Sequence, residues 1–487
     1  MTATPDSLAA LLRERARSNT GTYRFLRDGK EVASELNHAT LHAQANALGR
    51  LLNADIPPGA RALLLYPPGL DFLPAFFACI NAGIVAVPAP PLDSVRLKHS
   101  LPRLQAIVAD AEPAAILTTE SLRADLSGRA DHALGRLAWY GTDALFGADL
   151  TCFEGPHNEQ LSPPEASQLA YLQYTSGSTS SPRGVMLSHA NVLSNLGYLQ
   201  RGFDCDAHSS CVTWMPYFHD YGLVEGLLQP LYSGIDCYVL SPLTLLKRPH
   251  RWLETLSRFK ATHTHAPNFA YEMCLERVTP EQLRRLDLSS WRVAGNGAEP
   301  VRAATLARFA ERFRPCGFSA RTFYPAYGLA EATLFVTARS HDRAAVSLEL
   351  DAAALEQHQV RTVESGFSQA TREVVCCGLP QPGTDIRIVD PASNREVAAE
   401  QVGEIWVSSP SVALGYWHRP ESSSETFDAR LEQQPTAGPF LRTGDLGFMH
   451  DGHLYVTGRL KDLIVIAGVN HYPQDIEWTA LQACPAI

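Results

Sequence analysis

The sequence predicts an α/β protein: two layered α/β subdomains followed by a small β-barrel subdomain. Short apolar runs alternate with amphipathic helical stretches from residue 7 to about residue 335, the pattern of a mostly parallel sheet covered by helices. From about residue 375 the texture changes to short strands cut by Pro, Gly and Asp turns, which points to a small barrel or sandwich. The 487 residues, 45% of them hydrophobic, suffice for a large core spread over two or more subdomains.

In chain order, 7–17 reads as a helix with Leu8, Leu11 and Leu12 on one face and Ser7 placed to cap it. Strands are expected at 62–66, 84–88 and 114–117, with helices at 41–52 and 101–109 between them. The most apolar window, 72–87, carries Pro74, Asn81 and Gly83. That is too broken for a membrane span and suits a buried helix running into a strand. A second α/β alternation runs from 188 to 335. Segment 337–373, rich in Ala, Gln, Glu and Ser, reads as a solvated insertion with a short helix at 352–357. Strands at 386–389, 403–407 and 453–456 follow, with a hairpin turn at His450-Asp451-Gly452-His453.

A net charge of −10 and a pI near 5.9 argue against nucleic-acid binding. The ten cysteines show no CxxC pair and no zinc spacing, the usage of reduced, buried thiols in a cytoplasmic protein. The first residues lack a basic region followed by an apolar core, so no signal peptide is expected.

The chemistry begins at 174–184, Tyr-Thr-Ser-Gly-Ser-Thr-Ser-Ser-Pro-Arg-Gly, where six Ser/Thr hydroxyls and two glycines follow an apolar strand. Such a loop presents N–H groups and hydroxyls to phosphate oxygens, although the Walker spacing is absent and a polar surface turn has the same composition. Four clusters lie downstream. Trp214-Met215-Pro216-Tyr217-Phe218-His219-Asp220-Tyr221-Gly222 places a His-Asp pair among aromatics, either as a satisfied core histidine or at the mouth of an apolar acyl pocket. Ala294-Gly295-Asn296-Gly297-Ala298-Glu299 follows a strand, where open α/β sheets bind ligands, and an ordinary turn fits equally. Tyr327-Gly328-Leu329-Ala330-Glu331 offers a ring to stack on a base and a carboxylate for Mg²⁺. Arg442-Thr443-Gly444-Asp445 precedes Gly458-Arg459-Leu460-Lys461, an aspartate able to accept ribose hydroxyls and an arginine able to add a charge-assisted bond.

In this order and at these separations the five clusters resemble the adenylate-forming superfamily of acyl-CoA synthetases, luciferases and peptide-synthetase adenylation domains, over essentially the whole chain. The resemblance implies ATP and Mg²⁺ as cofactors. It implies that Thr175, Ser176, Gly177, Ser178, Thr179 and Gly184 form a mobile phosphate loop. Gly297, Ala298 and Glu299 would contact adenine, Tyr327 with Gly328, Leu329 and Ala330 would stack on it, and Glu331 would bind the metal. Asp445 would hold the ribose, Arg459 would assist, His219 would sit near the carboxylate, and Lys461 would be the hinge to a small α+β C-terminal domain. The implied organisation is a large domain over 1–459, made of 1–187, 188–335, an insertion at 336–377 and a barrel at 378–459. The start of the small domain would occupy 460–487.

Within the superfamily the sequence is most similar to the fatty acyl-AMP ligases. Ala330 stands where a threonine is usual, His219-Asp220-Tyr221-Gly222-Leu223 matches that group's form, and 43 residues (335–377) separate Leu334 from Gly378. In that group such an insertion is held to restrain domain rotation and disfavour CoA. The implied reaction joins a fatty acid to AMP and then passes the acyl group to the phosphopantetheine thiol of an acyl carrier protein. An acyl-CoA synthetase, or a domain that binds ATP or acyl-AMP without turnover, remains the alternative. Two features depart from the pattern. Arg183 replaces the usual lysine, keeping charge without the point-like ammonium. After Lys461 no lysine follows, where the family carries one near the end of its small domain, so that domain is expected to be mostly missing. Trp214, Met215, Phe218, Phe269, Tyr271, Met273 and Phe323 are candidate walls of an acyl tunnel.

Overall fold

The computed structural model describes residues 5–92, 97–126, 134–145, 164–175, 182–339, 345–364, 369–466 and 469–483. The chain forms two compact units, Met1–Arg201 with Cys205–Thr262 and Ala413–Pro420, and Gly202–Asp204 with His263–Val412 and Glu421–Ile487.

In the first unit, strands Ala138–Gly141, Ala115–Thr118, Arg61–Leu65, Val85–Pro88, Leu169–Tyr174 and Gly184–Ser188 lie side by side in that order. All pair in parallel except the last two, which form an antiparallel ribbon. The central strands are apolar on both faces, as a sheet covered on both sides requires: Leu63, Leu64, Ala86, Val87, Ile116 and Leu117 are all fully buried. Helix Phe72–Ala82 is buried along its whole length, and Gly83 ends it in the left-handed region before the next strand. That is the helix-into-strand reading of the apolar window. Among the described residues no helix is long and apolar enough to cross a membrane. Helix Leu8–Ser18 starts where Ser7 accepts from the Ala10 N–H at 3.3 Å. A further group of strands, Ser210–Thr213, Asp236–Leu240, Thr22–Arg27 and Glu31–Asn37, is adjacent in that order. Thr22–Arg27 pairs in parallel with Asp236–Leu240, some 210 residues away in the chain.

In the second unit, strands His263–Ala266, Val293–Asn296 and Phe323–Gly328 are parallel neighbours, and Phe335–Ala338 and Leu379–Pro380 extend them antiparallel. Five further strands, Arg395–Glu396, Asp385–Asp390, Gly403–Ser408, Leu441–His450 and His453–Arg459, form an antiparallel sheet in that order. It is open rather than a closed barrel: among the described residues its first and last strands do not pair. The hairpin turn falls at Asp451 and Gly452, whose φ values of 49° and 75° give the primed turn that matches strand twist.

The expectation of a solvated insertion fails. Ser347–Asp351 and Thr371–Val375 pair as an antiparallel ribbon with helix Ala352–Leu355 between them. Leu350, Leu355, Val360, Val374 and Cys376 pack in one core with Leu446, Phe448, Tyr455 and Tyr472. Polar residues dominate its composition, but the few apolar ones fall on one face and find a partner sheet. Eight described cysteines are free, seven of them buried.

Two buried histidines make the first unit acid-sensitive. His189 Nδ1 accepts from the Leu8 N–H at 3.3 Å. Burial holds it and His38 neutral, lowering both to about 4 from 6.5, with Arg15 adding to the effect at His38. A histidine lowered in the folded state supports folding fully above its unfolded value and loses that support as pH falls from 6.5 towards 4. Urea titrations at pH 7.5 and pH 5 should differ by about 2 kcal/mol for each histidine. The His189→Asn variant, which keeps an acceptor for Leu8, should lose about half of that difference.

Candidate active site

The strand Leu169–Tyr174 delivers the Gly/Ser/Thr loop, and Gly184–Ser188 returns it. Ser176, Gly177, Ser178 and Thr179 lie outside the described residues, so the loop is defined here by its base. The Thr175 N–H donates to the Arg183 carbonyl at 3.2 Å. Tyr174 Oη donates to Asp110 Oδ2 at 2.7 Å, and Arg419 donates to the other oxygen, Oδ1, at 2.9 Å. A Cβ at Gly184 would stand 3.0 Å from the Tyr174 ring, so a larger residue there would press on the ring that holds Asp110. Arg183, the replacement for lysine, lies 5.1 Å from the Tyr416 ring centroid, a cation–π seat that a guanidinium fills well. The 414–417 segment bonds to both sides of the returning strand, through Met186 to Gly415, Leu414 to Met186 and Trp417 to Gly184.

Gln173, one residue before Tyr174, donates from Nε2 to the Phe218 carbonyl at 2.8 Å. The loop strand is thereby tied to the His219 segment of the same unit. Tyr217 Oη accepts from the Tyr66 N–H at 2.7 Å and lies 3.0 Å from the Ala89 carbonyl, while its ring stacks on Phe72 at 4.1 Å. His219 stands on this fixed segment with its side chain 44% exposed and Nδ1 2.6 Å from Asp220 Oδ1. Partial burial opposes protonation of His219, but the Asp220 carboxylate outweighs it and raises the ring above the ordinary histidine value.

In the second unit Tyr327 and Arg459 converge on Asp445. Tyr327 ends the Phe323–Gly328 strand, and its Oη donates to Asp445 Oδ2 at 2.8 Å. Arg459 Nε donates to Asp445 Oδ1 at 2.7 Å. Asp445 is 6% exposed and Tyr327 9%; burial, then the Asp445 charge, push the Tyr327 phenol well above its usual value. Arg459 is half-exposed, and Asp445 stabilises its charge more than burial opposes it. After Tyr327 the chain turns tightly. Gly328 is obligatory, since a Cβ would stand 1.8 Å from the Leu334 carbonyl oxygen. The Leu329 N–H donates to that same carbonyl at 2.8 Å, and Thr333, at φ 69°, donates to the Ser411 carbonyl at 2.7 Å. Glu331 sits half-buried in this turn, close enough for its charge to act on Arg459.

Beyond Asn296, Ala298 takes φ 67° and Glu299 Oε1 accepts from the Phe269 N–H at 2.6 Å. Lys461 is exposed in the short turn Leu460–Asp462. Three of the proposed acyl-tunnel walls serve the core instead. Tyr271 and Phe323 pack edge-on with Phe309, and Trp214 packs edge-on against the fully buried Trp252. Glu404 and Asp110, which organise the Asp445 turn and the loop base, were absent from the sequence-derived candidates; neither lies in a motif, and a lone carboxylate beside a strand or helix reads as a surface residue.

The profile described as AMP-binding enzyme matches residues 12–417. The chain belongs to that family. It is 48% identical to the medium-chain-fatty-acid–[acyl-carrier-protein] ligase JamA of Moorena producens, over 96% of this chain and 78% of that one. Its fold superposes on a structure from work on the fatty acyl-adenylate ligases of E. coli and L. pneumophila with a TM-score of 0.89 and 37% identity, covering 98% of this chain and 83% of the other. The L. pneumophila fatty acyl-adenylate ligase in complex with acyl adenylate and pyrophosphate superposes with a TM-score of 0.86 and 37% identity, over 98% and 81%. Adenylate-forming enzymes of this family use ATP.

Tyr327→Phe keeps the ring and removes the bond to Asp445 Oδ2. Leaving that buried carboxylate oxygen without its donor should lower the unfolding free energy by about 1–3 kcal/mol, read by urea denaturation at pH 7.5.

Proposed function

We propose that this protein activates a fatty acid as its acyl-adenylate and delivers the acyl group to the phosphopantetheine thiol of an acyl carrier protein. The observation that carries the reading is the Tyr327–Asp445–Arg459 cluster, in a chain that shares 48% identity with a fatty-acid–carrier-protein ligase. The fatty acid carboxylate attacks the α-phosphate of ATP, forming a mixed anhydride and releasing pyrophosphate. The thiol then attacks the acyl carbon, and AMP leaves. Such chemistry needs positioning and charge neutralisation more than covalent help.

In this reading Tyr327 presents its ring to adenine while its hydroxyl keeps Asp445 turned to the ribose hydroxyls, and Arg459 holds the carboxylate's other oxygen. Gly297, Ala298, Glu299, Gly328, Leu329 and Ala330 line the adenine side. Thr175 to Thr179 and Gly184 bind the phosphates, and His219, kept basic by Asp220, stands by the incoming carboxylate. Glu331, a single hard oxygen donor in a fixed turn, fits Mg²⁺ of the kind held mainly by phosphates and water. When bound, the ion neutralises charge on the departing pyrophosphate. Because ATP supplies the reaction, we place it in the cytoplasm.

We assign the 336–377 insertion a part in acceptor choice, as a clasp on the segment that follows Lys461. The Arg372 guanidinium lies 4.3 Å from the Tyr472 ring centroid and donates to the Thr457 carbonyl at 2.8 Å. Asn470 Nδ2 donates to the Glu356 carbonyl, also at 2.8 Å. The Arg372–Tyr472 and Asn470–Glu356 contacts oppose the rotation about Lys461 that a second half-reaction with CoA would need, while the Thr457 bond holds Arg372 in place.

Incubation with ATP, Mg²⁺ and dodecanoic acid should yield dodecanoyl-AMP by mass spectrometry, and a phosphopantetheinylated carrier protein should become acylated while added CoA stays free. Dodecanoyl-CoA as the main product would replace the proposal with an acyl-CoA synthetase, and no adenylate with any fatty acid would leave a binding domain. Arg372→Ala should shift product from acyl-carrier towards acyl-CoA, measured in the same assay with both acceptors present.

A further inference from the structure

The Asp445 carboxylate reaches Tyr327 and Arg459 because its strand is interrupted. Residues 404–406 lie opposite 442–446, three residues facing five, so two extra residues bulge out of the Leu441–His450 strand just before Asp445. A bulge leaves ladder groups unpaired and re-aims a side chain, and the unpaired groups must find other partners when buried. Here side chains fill the gap. Thr443 Oγ1 donates to the Ile405 carbonyl at 2.7 Å and accepts from the Asp445 N–H at 3.1 Å. The Gly444 N–H, at φ 71°, donates to Glu404 Oε1 at 3.2 Å.

Glu404 is 2% exposed. Its other oxygen, Oε2, accepts from Arg442 Nε at 3.1 Å and Nη2 at 2.9 Å, and from Trp406 Nε1 at 2.9 Å. One buried carboxylate thus accepts four donors: two from Arg442 and one from the Gly444 backbone on the facing strand, and one from Trp406 on its own strand. A buried carboxylate is tolerated only when paired and hydrogen-bonded in this way, and charge-assisted bonds fix direction as well as energy.

We infer that Glu404 is a positioning residue for nucleotide binding: it holds the bulge that aims Asp445 at the ribose hydroxyls. The inference rests on the reading of Asp445 as the ribose ligand. Gln at 404 keeps an acceptor for Gly444 but turns an amide N–H₂ towards Arg442 and Trp406, which are also donors. The bulge then loses its anchor while the fold of the sheet around it is retained.

The test is calorimetric titration of the intact chain with AMP and with 2′,3′-dideoxy-AMP, for wild type, Glu404→Gln, Arg442→Gln and Asp445→Ala. Glu404→Gln should weaken AMP about 10-fold or more and leave the dideoxy analogue within about 2-fold, so that it mimics Asp445→Ala. Arg442→Gln, which leaves Glu404 on Gly444, should move AMP in the same direction by less and serves if Glu404→Gln does not fold. Equal weakening of both nucleotides, or none, by these two variants while Asp445→Ala still discriminates overturns the role of Glu404. If Asp445→Ala itself weakens both nucleotides equally, the ribose reading of Asp445 falls first and the inference with it.

Discussion

A carboxylate removed from water must be met by donors, and the second unit is organised around two that are. Asp445 is met by the Tyr327 hydroxyl and Arg459, and Glu404 by Arg442, Trp406 and the Gly444 N–H. These bonds draw the end of the Phe323–Gly328 strand to the antiparallel sheet and hold neighbouring strands of that sheet at an irregular register. Without them the bulge before Asp445 would be a set of orphaned buried polar groups, each costing about 1–3 kcal/mol. The same groups that relieve this cost bring the Asp445 carboxylate and the guanidinium of Arg459 together at one place, the arrangement from which the proposed ribose contact is argued.

The first unit solves a different problem, that of holding a loop rich in small and polar residues. The loop's own residues offer little apolar surface, and the strands at its base are held by side chains from neighbouring segments. Tyr174 spans to Asp110, Gln173 to the Phe218 carbonyl, and Arg183 lies over Tyr416. The substitution of Arg for the family's usual lysine has a local reason here, since a planar guanidinium stacks on a ring where an ammonium would not.

Local chemistry was legible in the sequence, and distant pairing was not. Ser7 at its cap, the buried helix ending at Gly83 and the Asp451-Gly452 turn all depend on neighbours within a few residues, and all stand as read. The pairing of Thr22–Arg27 with Asp236–Leu240 carries no local signature. Nor does the core of the insertion, where a handful of apolar residues in a polar segment become buried only because another sheet receives them. The site shows the same division. Tyr327, Asp445 and Arg459 were singled out through their motifs, but their mutual bonds were not, because nothing in the spacing says that the tyrosine hydroxyl turns to the aspartate. Tyr271, Phe323 and Trp214 were misassigned to an acyl wall, since an aromatic in a core and one lining a tunnel look the same in sequence. Glu404 escaped notice for the opposite reason, being an isolated polar residue in a strand whose burial appears only with the bulge.

The central claim is that one chain recognises a fatty acyl group and an adenylate joined together. Titration with a non-hydrolysable dodecanoyl-sulfamoyl-adenosine tests it most directly. The account predicts affinity at least about 100-fold above that of AMP, as for a mimic of a bound intermediate. Affinity no greater than that of AMP, with the acyl chain contributing nothing, would contradict it.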